Sequence, residues 1–366
     1  MPTFVSAFAA FCMLCVSLAA QAGAVPRDDG PHVVHRADGS ESFWWCDGRI
    51  ESRRLAADRR VAQVCGEVGP LTLNAAPPPA YDVLPAAERW AAVSDIHGQY
   101  ALFRRLLTAH GIIDKQGNWS YGRGVLVIPG DVFDRGPQVN EALWHLYRLE
   151  QQAGAAGGAV HLLLGNHEYM VLQGDLRYVH ERYQAVAEAL GRNVQTLYGA
   201  DTELGRWLRA KSTILRLGDT VFLHGGLHPD FVRKGIDIAA LNRRFRADID
   251  KTREAIKADP DSAWLFGRHG PIWYRGYFLA ERAKPEEIDS LLKRLEARRI
   301  VVGHTTLDSI RSLYRGRVIA IDAGLKDEHG GELLLHENGR LWRGLSDGGR
   351  VELPAGDDDG KLPVEH

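Results

Sequence analysis

The chain has 366 residues, 45% hydrophobic and 25% charged, with a formal net charge of -2. This is ordinary globular composition, long enough for one large core or two domains. There is no basic excess of the kind that marks nucleic-acid or anionic-membrane partners, and neither is expected.

The first residues differ from the rest. MPTFVSAFAAFCMLCVSLAAQAGA carries no charged side chain, is apolar from Phe4 to Ala20, and ends in two A-x-A triplets. Residues 1–24 read as a secretory signal peptide. The missing Lys or Arg leaves a retained membrane anchor as the alternative, for which the run is short. Cleavage leads to a periplasmic or secreted protein with no stable membrane association. Cys12 and Cys15 leave with that segment, and Cys46 and Cys65 remain as a pair. An oxidising compartment favours a disulfide between them; two buried free thiols are the alternative.

Residues 25–40 are polar and read as a flexible start. From Ser42 to Leu73 apolar and charged residues alternate around turn-forming pairs, the pattern of a small β meander. AAPPPAYDVLP, with prolines at 77–79, follows as a stiff linker. Residues 25–86 are therefore expected as a small N-terminal β segment with its linker, 87–345 as a catalytic domain, and the Asp- and Gly-rich 346–366 as a flexible tail. Within 87–345, strand, loop and helix alternate: ERWAAVSDIHG, YALFRRLLTAHG, GVLVIPGDVFDRG, QVNEALWHLYRLEQ, AVHLLLGNHE. This is a β-α-β pattern around a largely buried sheet. Residues 170–211, 236–258 and 285–299 read as helical, TILRLGDTVFLHGGL as a strand pair, and 299–345 as a closing run of strands. NRRFRADIDKTR, at 242–253, reads as a solvated helix face.

The loops after the strands carry the chemistry. VSDIHG supplies Asp95 and His97; IPGDVFDRG supplies Asp131, Asp134 and Arg135; LLGNHE supplies Asn166 and His167; FLHGG supplies His224; VVGHT supplies His304. Sites in α/β sheets gather at strand carboxyl ends, so these loops are expected to converge. The donors suit two divalent transition ions: Asp95 and His97 on one, Asn166, His224 and His304 on the other, with Asp131 between them. Imidazole and carboxylate favour Mn, Fe or Zn over Ca or Mg. Two such ions clamp a phosphoryl group during in-line displacement and acidify water at neutral pH.

The motifs DIHG (95–98), GDVFDRG (130–136), GNHE (165–168), HGG (224–226) and GHT (303–305) resemble, in order and spacing, those of the calcineurin-like metallophosphoesterases, and within them the phosphoprotein phosphatase family. The resemblance spans about residues 87–345. It implies an α/β fold, a β-sandwich flanked by helices, with the site at the strand ends. It also implies a dinuclear-metal hydrolase of phosphorylated proteins or small phosphomonoesters. Asp95, His97 and Asp131 would hold one ion, and Asn166, His224 and His304, with Asp131 bridging, the second. Arg135 and Asn166 would contact the phosphate. His167 would protonate the leaving oxygen, with Asp134 orienting and charging its ring. Glu168 would support the ligands from behind. GPIWYRG offers Arg275 as a second phosphate contact, or as a surface arginine; Trp273 and Tyr274 would wall the pocket or belong to the core.

Ser94 and Leu164 stand where the eukaryotic branch has Gly and Arg, and that branch's SAPNY-like terminal loop is absent. The chain resembles the bacterial Shewanella-like phosphatases most, which share GP-x-W-Y-R. Phosphoserine or phosphothreonine, phosphotyrosine and small phosphomonoesters stay equally open. One rival is an exported hydrolase of nucleotides or dinucleoside polyphosphates, against which Glu168 argues. The other is a non-catalytic metal-binding scaffold, against which His167 and Arg135 argue.

Overall fold

The computed structural model describes residues 28–354 apart from 78, 80, 280, 281 and 329. The apolar segment 1–24 and residues 355–366 of the expected tail lie outside the described residues. No helix among the described residues is long and apolar enough to cross a membrane.

Two six-stranded mixed sheets form the frame. In the first, Arg89–Ala92, Val125–Ile128 and Ala159–Leu162 run parallel, joined by helices Tyr100–Ala109 and Val139–Ala155. Antiparallel strands Glu332–Glu337, Arg340–Leu345 and Arg350–Glu352 extend it. In the second, Thr220–Leu223, Arg299–Val302 and Val318–Ala320 run parallel, with Ile214–Leu217 and Arg311–Leu313 antiparallel beside them.

The near-continuous apolar runs of these strands follow from burial on both faces. Trp90, Ala92, Val125 and Val127 share one core with Leu215, Phe222, Val301 and Ile319 of the other sheet. The Trp90 and Phe222 rings meet edge to face at 5.0 Å. The alternate residues Ala91, Leu126 and Ile128 belong instead to the core that includes Phe103, Leu107, Leu143 and Leu146 of the helices. Each large side chain buried this way contributes about 1.5–3 kcal/mol. The result is a sandwich flanked by helices, with a small antiparallel sheet at the N-terminal side.

That small sheet begins earlier than its composition suggests. Asp29–Arg36 is a strand, pairing with Gly39–Cys46, which pairs with Arg49–Arg54. Residues 29–34 of the expected flexible start are thus buried. Its polar residues are there to meet polar partners on the helical layer. Arg182, its side chain fully buried, lies 3.2 Å from Asp29 and 2.9 Å from Glu141. Asn140 donates to Asp29, and Trp144 Nε1 donates to the Pro31 carbonyl at 2.8 Å. Val33, Trp44, Val61 and Leu71 join the main helical core. Cys46 and Cys65 form a disulfide that ties this sheet to the ribbon Arg60–Val61 and Leu71–Thr72.

Two boundaries also differ from expectation. The end of the Pro-rich linker is structured: Val83–Leu84 pairs with Arg216–Leu217 at the edge of the second sheet. At the other end, Arg350–Glu352 adds an exposed strand beside Trp342–Gly344, so residues 346–354 are not free tail. Edge ladders need only backbone groups, which side-chain patterning does not report.

Candidate active site

The five chemistry-bearing loops leave the carboxyl ends of parallel strands in both sheets and meet in one place. Asp95, His97, Asp131, Asn166, His224 and His304 are all buried. Asp95, His97, Asp131, Asp134, Arg135 and His304 have φ between +45° and +71°. Such left-handed backbone costs about 1–2 kcal/mol per non-glycine residue, least for Asp, Asn and His. The turns let the loops bond to one another: Asp95 N donates to Gly130 O at 3.2 Å and His97 N to Asp131 O at 3.0 Å. Gly165 and Gly303 are required by close approach. A Cβ at Gly165 would sit 2.3 Å from Asp131 Oδ1, and one at Gly303 would sit 2.0 Å from Ser94 Oγ.

Glu168 fastens two of these loops. Its carboxylate accepts from the amides of Asp131 at 2.9 Å, Val132 at 2.7 Å, Phe133 at 3.2 Å and Gly165 at 2.7 Å. Burial, and then Asp131, push its carboxyl up to about 7, with the amides of Asp131 and Gly165 pulling the other way. Sequence reasoning placed Glu168 behind the ligands but not as the clamp on the Asp131 turn.

Two three-donor groups gather, His97 with Asp131 and His167, and Asp131 with His224 and His304. Asp131 is common to both. His97 Nδ1 faces the Phe133 carbonyl at 2.7 Å and His224 Nδ1 the Pro129 carbonyl at 2.9 Å. A carbonyl only accepts, so each Nδ1 carries the proton and each Nε2 turns toward the cluster. Around His224 Nε2 stand Asn166 Oδ1 at 2.8 Å, His304 Nδ1 at 3.1 Å and Asp131 Oδ2 at 3.1 Å. Lone pairs crowded on lone pairs require a cation. Although burial opposes it, Asp131 and Asp95 push the His224 imidazole up to about 9, so the surrounding carboxylates favour positive charge at this point. The donor set therefore fits a divalent ion.

Asp95 holds a more peripheral place. One oxygen accepts from Ser94 Oγ at 2.5 Å and His304 N at 3.0 Å; the other is 3.8 Å from His97 Nε2. His97 itself is carried down to about 3, chiefly by burial, so it is a neutral donor.

His167 sits at the rim of this cluster. Its Nδ1 meets Asp134 Oδ2 at 2.5 Å and its Nε2 is 3.9 Å from Asp131 Oδ2. Burial favours the neutral ring, but the Asp131 charge and the Asp134 bond outweigh it and raise the imidazole above its ordinary range. Arg135 is exposed. Arg275 is half-buried, 3.4 Å from the His304 carbonyl, so it is not a plain surface arginine. Trp273 lies 5.5 Å from the His304 ring, whereas Tyr274 is buried in the core.

Some neighbours carried no motif. The Tyr178 ring lies 5.3 Å from His167 and 5.2 Å from the Arg135 guanidinium, and its carbonyl accepts from Arg135 N at 2.9 Å. Asp322, in RVIAIDAG, is pushed up to about 8 by burial and then by Asp95, and accepts from Thr306 Oγ1 at 2.6 Å. A carboxylate ending a buried apolar strand was the available signal for Asp322. Tyr178 offered none.

A family model described as calcineurin-like phosphoesterase matches residues 89–308. The crystal structure of the cold-active protein-tyrosine phosphatase of a psychrophile Shewanella sp. is 42% identical, covering 90% of this chain and 100% of its own, with a TM-score of 0.86. An uncharacterized protein of Schizosaccharomyces pombe is 33% identical over 249 residues, 66% of this chain and 74% of its own length. Shewanella-like protein phosphatase 2 of Arabidopsis thaliana is 28% identical over 284 residues, 65% of this chain and 71% of its own.

Proposed function

The chain belongs to the calcineurin-like phosphoesterase family and is a metal-dependent phosphatase, and we propose that its substrates are phosphorylated side chains of proteins, phosphotyrosine among them. The substrate reading is supported by the 42% identity, over 90% of the chain, to a protein-tyrosine phosphatase. The observation that carries the chemistry is the His167–Asp134 pair, at 2.5 Å, on the rim of the convergent donors.

In this reading Asp95, His97 and Asp131 hold one ion, and Asp131, Asn166, His224 and His304 the other. Mn, Fe or Zn suits these donors. Such ions supply charge neutralisation at the phosphoryl oxygens and acidity to water. Arg135 and Arg275 orient the phosphate with their planar guanidinium groups, and Asn166 assists. His167 delivers a proton from Nε2 to the leaving oxygen, and Asp134 holds the Nδ1 proton in place, stabilising the charged ring. Glu168 keeps the Asp131 turn rigid while charge moves.

Metal analysis combined with side-by-side turnover tests this. We expect two ions per chain, chelator-sensitive activity, and faster turnover of phosphotyrosine peptides than of nucleotides. Preferred hydrolysis of nucleoside polyphosphates would overturn the protein-phosphatase reading.

Export is part of the same proposal. The Cys46–Cys65 disulfide and the apolar sequence of residues 1–24 support it. Mass spectrometry of protein recovered from its native compartment should find a chain lacking that segment with no free thiol at Cys46 or Cys65; an intact N terminus or free thiols would overturn it.

A further inference from the structure

A cleft of about 400 Å³ opens beside the donor cluster and shares Asn166, Trp273 and Arg275 with it. Its floor is apolar, built in part from Met170, Phe266 and Ile272. Its outer wall is cationic and carries Arg177, Arg253, Lys257 and Arg268. Asp175 is the one carboxylate in the lining, and it is already engaged. It pairs with Arg177 through two bonds of 2.8 Å and lies 3.4 Å from Arg253. Lys257 and Arg268 are exposed and form no ion pair among the described residues; Glu254, three residues before Lys257, acts on it only at longer range. In a chain whose formal net charge is -2, Lys257 and Arg268 add positive charge without an ion-pair partner to the wall of a cleft that Arg275 also lines.

A phosphate held at the site uses Arg135 and Arg275, which leaves Lys257 and Arg268 for a second anionic group on the same substrate. The apolar floor suits the stems and backbone of an extended peptide between the two anions. We propose that this cleft selects phosphoprotein segments carrying an acidic side chain close in sequence to the phosphorylated residue, with Lys257 and Arg268 as its specificity-determining residues. The inference rests on the protein-phosphatase reading above.

The test compares kcat/KM of the metal-loaded enzyme on three phosphotyrosine peptides of equal length, flanked by Glu, Gln or Lys. The acidic peptide should exceed the neutral one by about five- to tenfold at low salt, the range two surface ion pairs allow, and the ratio should shrink as salt screens them. In the Lys257→Ala, Arg268→Ala double variant that ratio should fall to near unity, with the neutral peptide as internal reference. Lys257→Glu should turn the preference toward the basic peptide. Equal kcat/KM for all three peptides with the wild-type enzyme, or an acidic preference that survives both variants, overturns the cleft assignment while leaving the phosphatase reading intact. Turnover of nitrophenyl phosphate with none of any peptide overturns that reading, and the proposal with it. Polyphosphate nucleotides that outcompete the acidic peptide through Lys257 and Arg268 would show that the cleft reads phosphate chains instead.

Discussion

Nδ1 of His167 and Oδ2 of Asp134 are 2.5 Å apart, both residues buried, with the Asp134 backbone held in the left-handed region at φ 71°. If His167 gives its proton to the leaving oxygen, its loss should matter most for poor leaving groups. His167→Ala is expected to keep both ions and to lose about 10²–10⁴-fold on alkyl phosphates, with a smaller loss on nitrophenyl phosphate. Asp134→Asn should show the same selectivity more weakly. Equal losses on both substrates, together with metal depletion, would make His167 a ligand instead.

Asp131 lies within both three-donor groups, and its Oδ1 also accepts from His167 N at 3.0 Å. Asp131→Asn keeps an oxygen for that amide but removes the charge that two ions would share. Turnover should fall by about a hundredfold or more, and metal content should drop. Elemental analysis beside rate measurement decides it: near-wild-type turnover with both ions bound would remove Asp131 from the bridging position.

Arg182 joins the N-terminal sheet to the helical layer between Asp29 and Glu141, with none of its side chain exposed. Arg182→Met leaves the buried Glu141 without its cation and Asp29 with only His32 and Asn140. We expect it to cost about 3–5 kcal/mol of stability. Urea unfolding should show a lowered midpoint, and a loss below about 1 kcal/mol would mean that the Arg182 ion pairs do not hold the sheet in place.

His145 is buried in helix Val139–Ala155, where its Nε2 lies 2.7 Å from the Gly117 carbonyl. Burial carries it from 6.5 down to about 4. As pH falls, the unfolded chain takes up this proton first. Its cost is therefore absent above about pH 6.5 and grows to about 3 kcal/mol as pH drops toward 4. His145→Gln retains a donor but cannot titrate, so its stability should fall less steeply across that window. Parallel pH profiles for the two proteins would show that His145 does not contribute.

The donors were legible because polar residues at the ends of buried strands need a reason, and five loops supplied the same one. The parallel strands were legible because burial on both faces leaves unbroken apolar runs such as Val125–Ile128. Asp29–Arg36 was not, since Asp29 and His32 read as loop residues until Arg182 and Asn140, over a hundred positions away, are seen to answer them. The stretch 242–253 was read as a solvated helix face for the same reason: helical periodicity says which side is polar, not what that side faces. Arg253 is exposed, but Asn242 and Asp248 are buried, and Asn242 Oδ1 accepts from the amides of Thr213 and Ile214.

The sequence by itself determined which groups are available for metal and phosphate, and their order along the chain. Only the tertiary structure decided which atom of each group is offered. The Phe133 carbonyl, 36 residues from His97, and the Pro129 carbonyl, 95 residues from His224, take the Nδ1 protons and leave both Nε2 atoms turned toward Asp131. An imidazole has two nearly equivalent nitrogens, and the choice between them is made by whichever backbone acceptor the fold brings alongside.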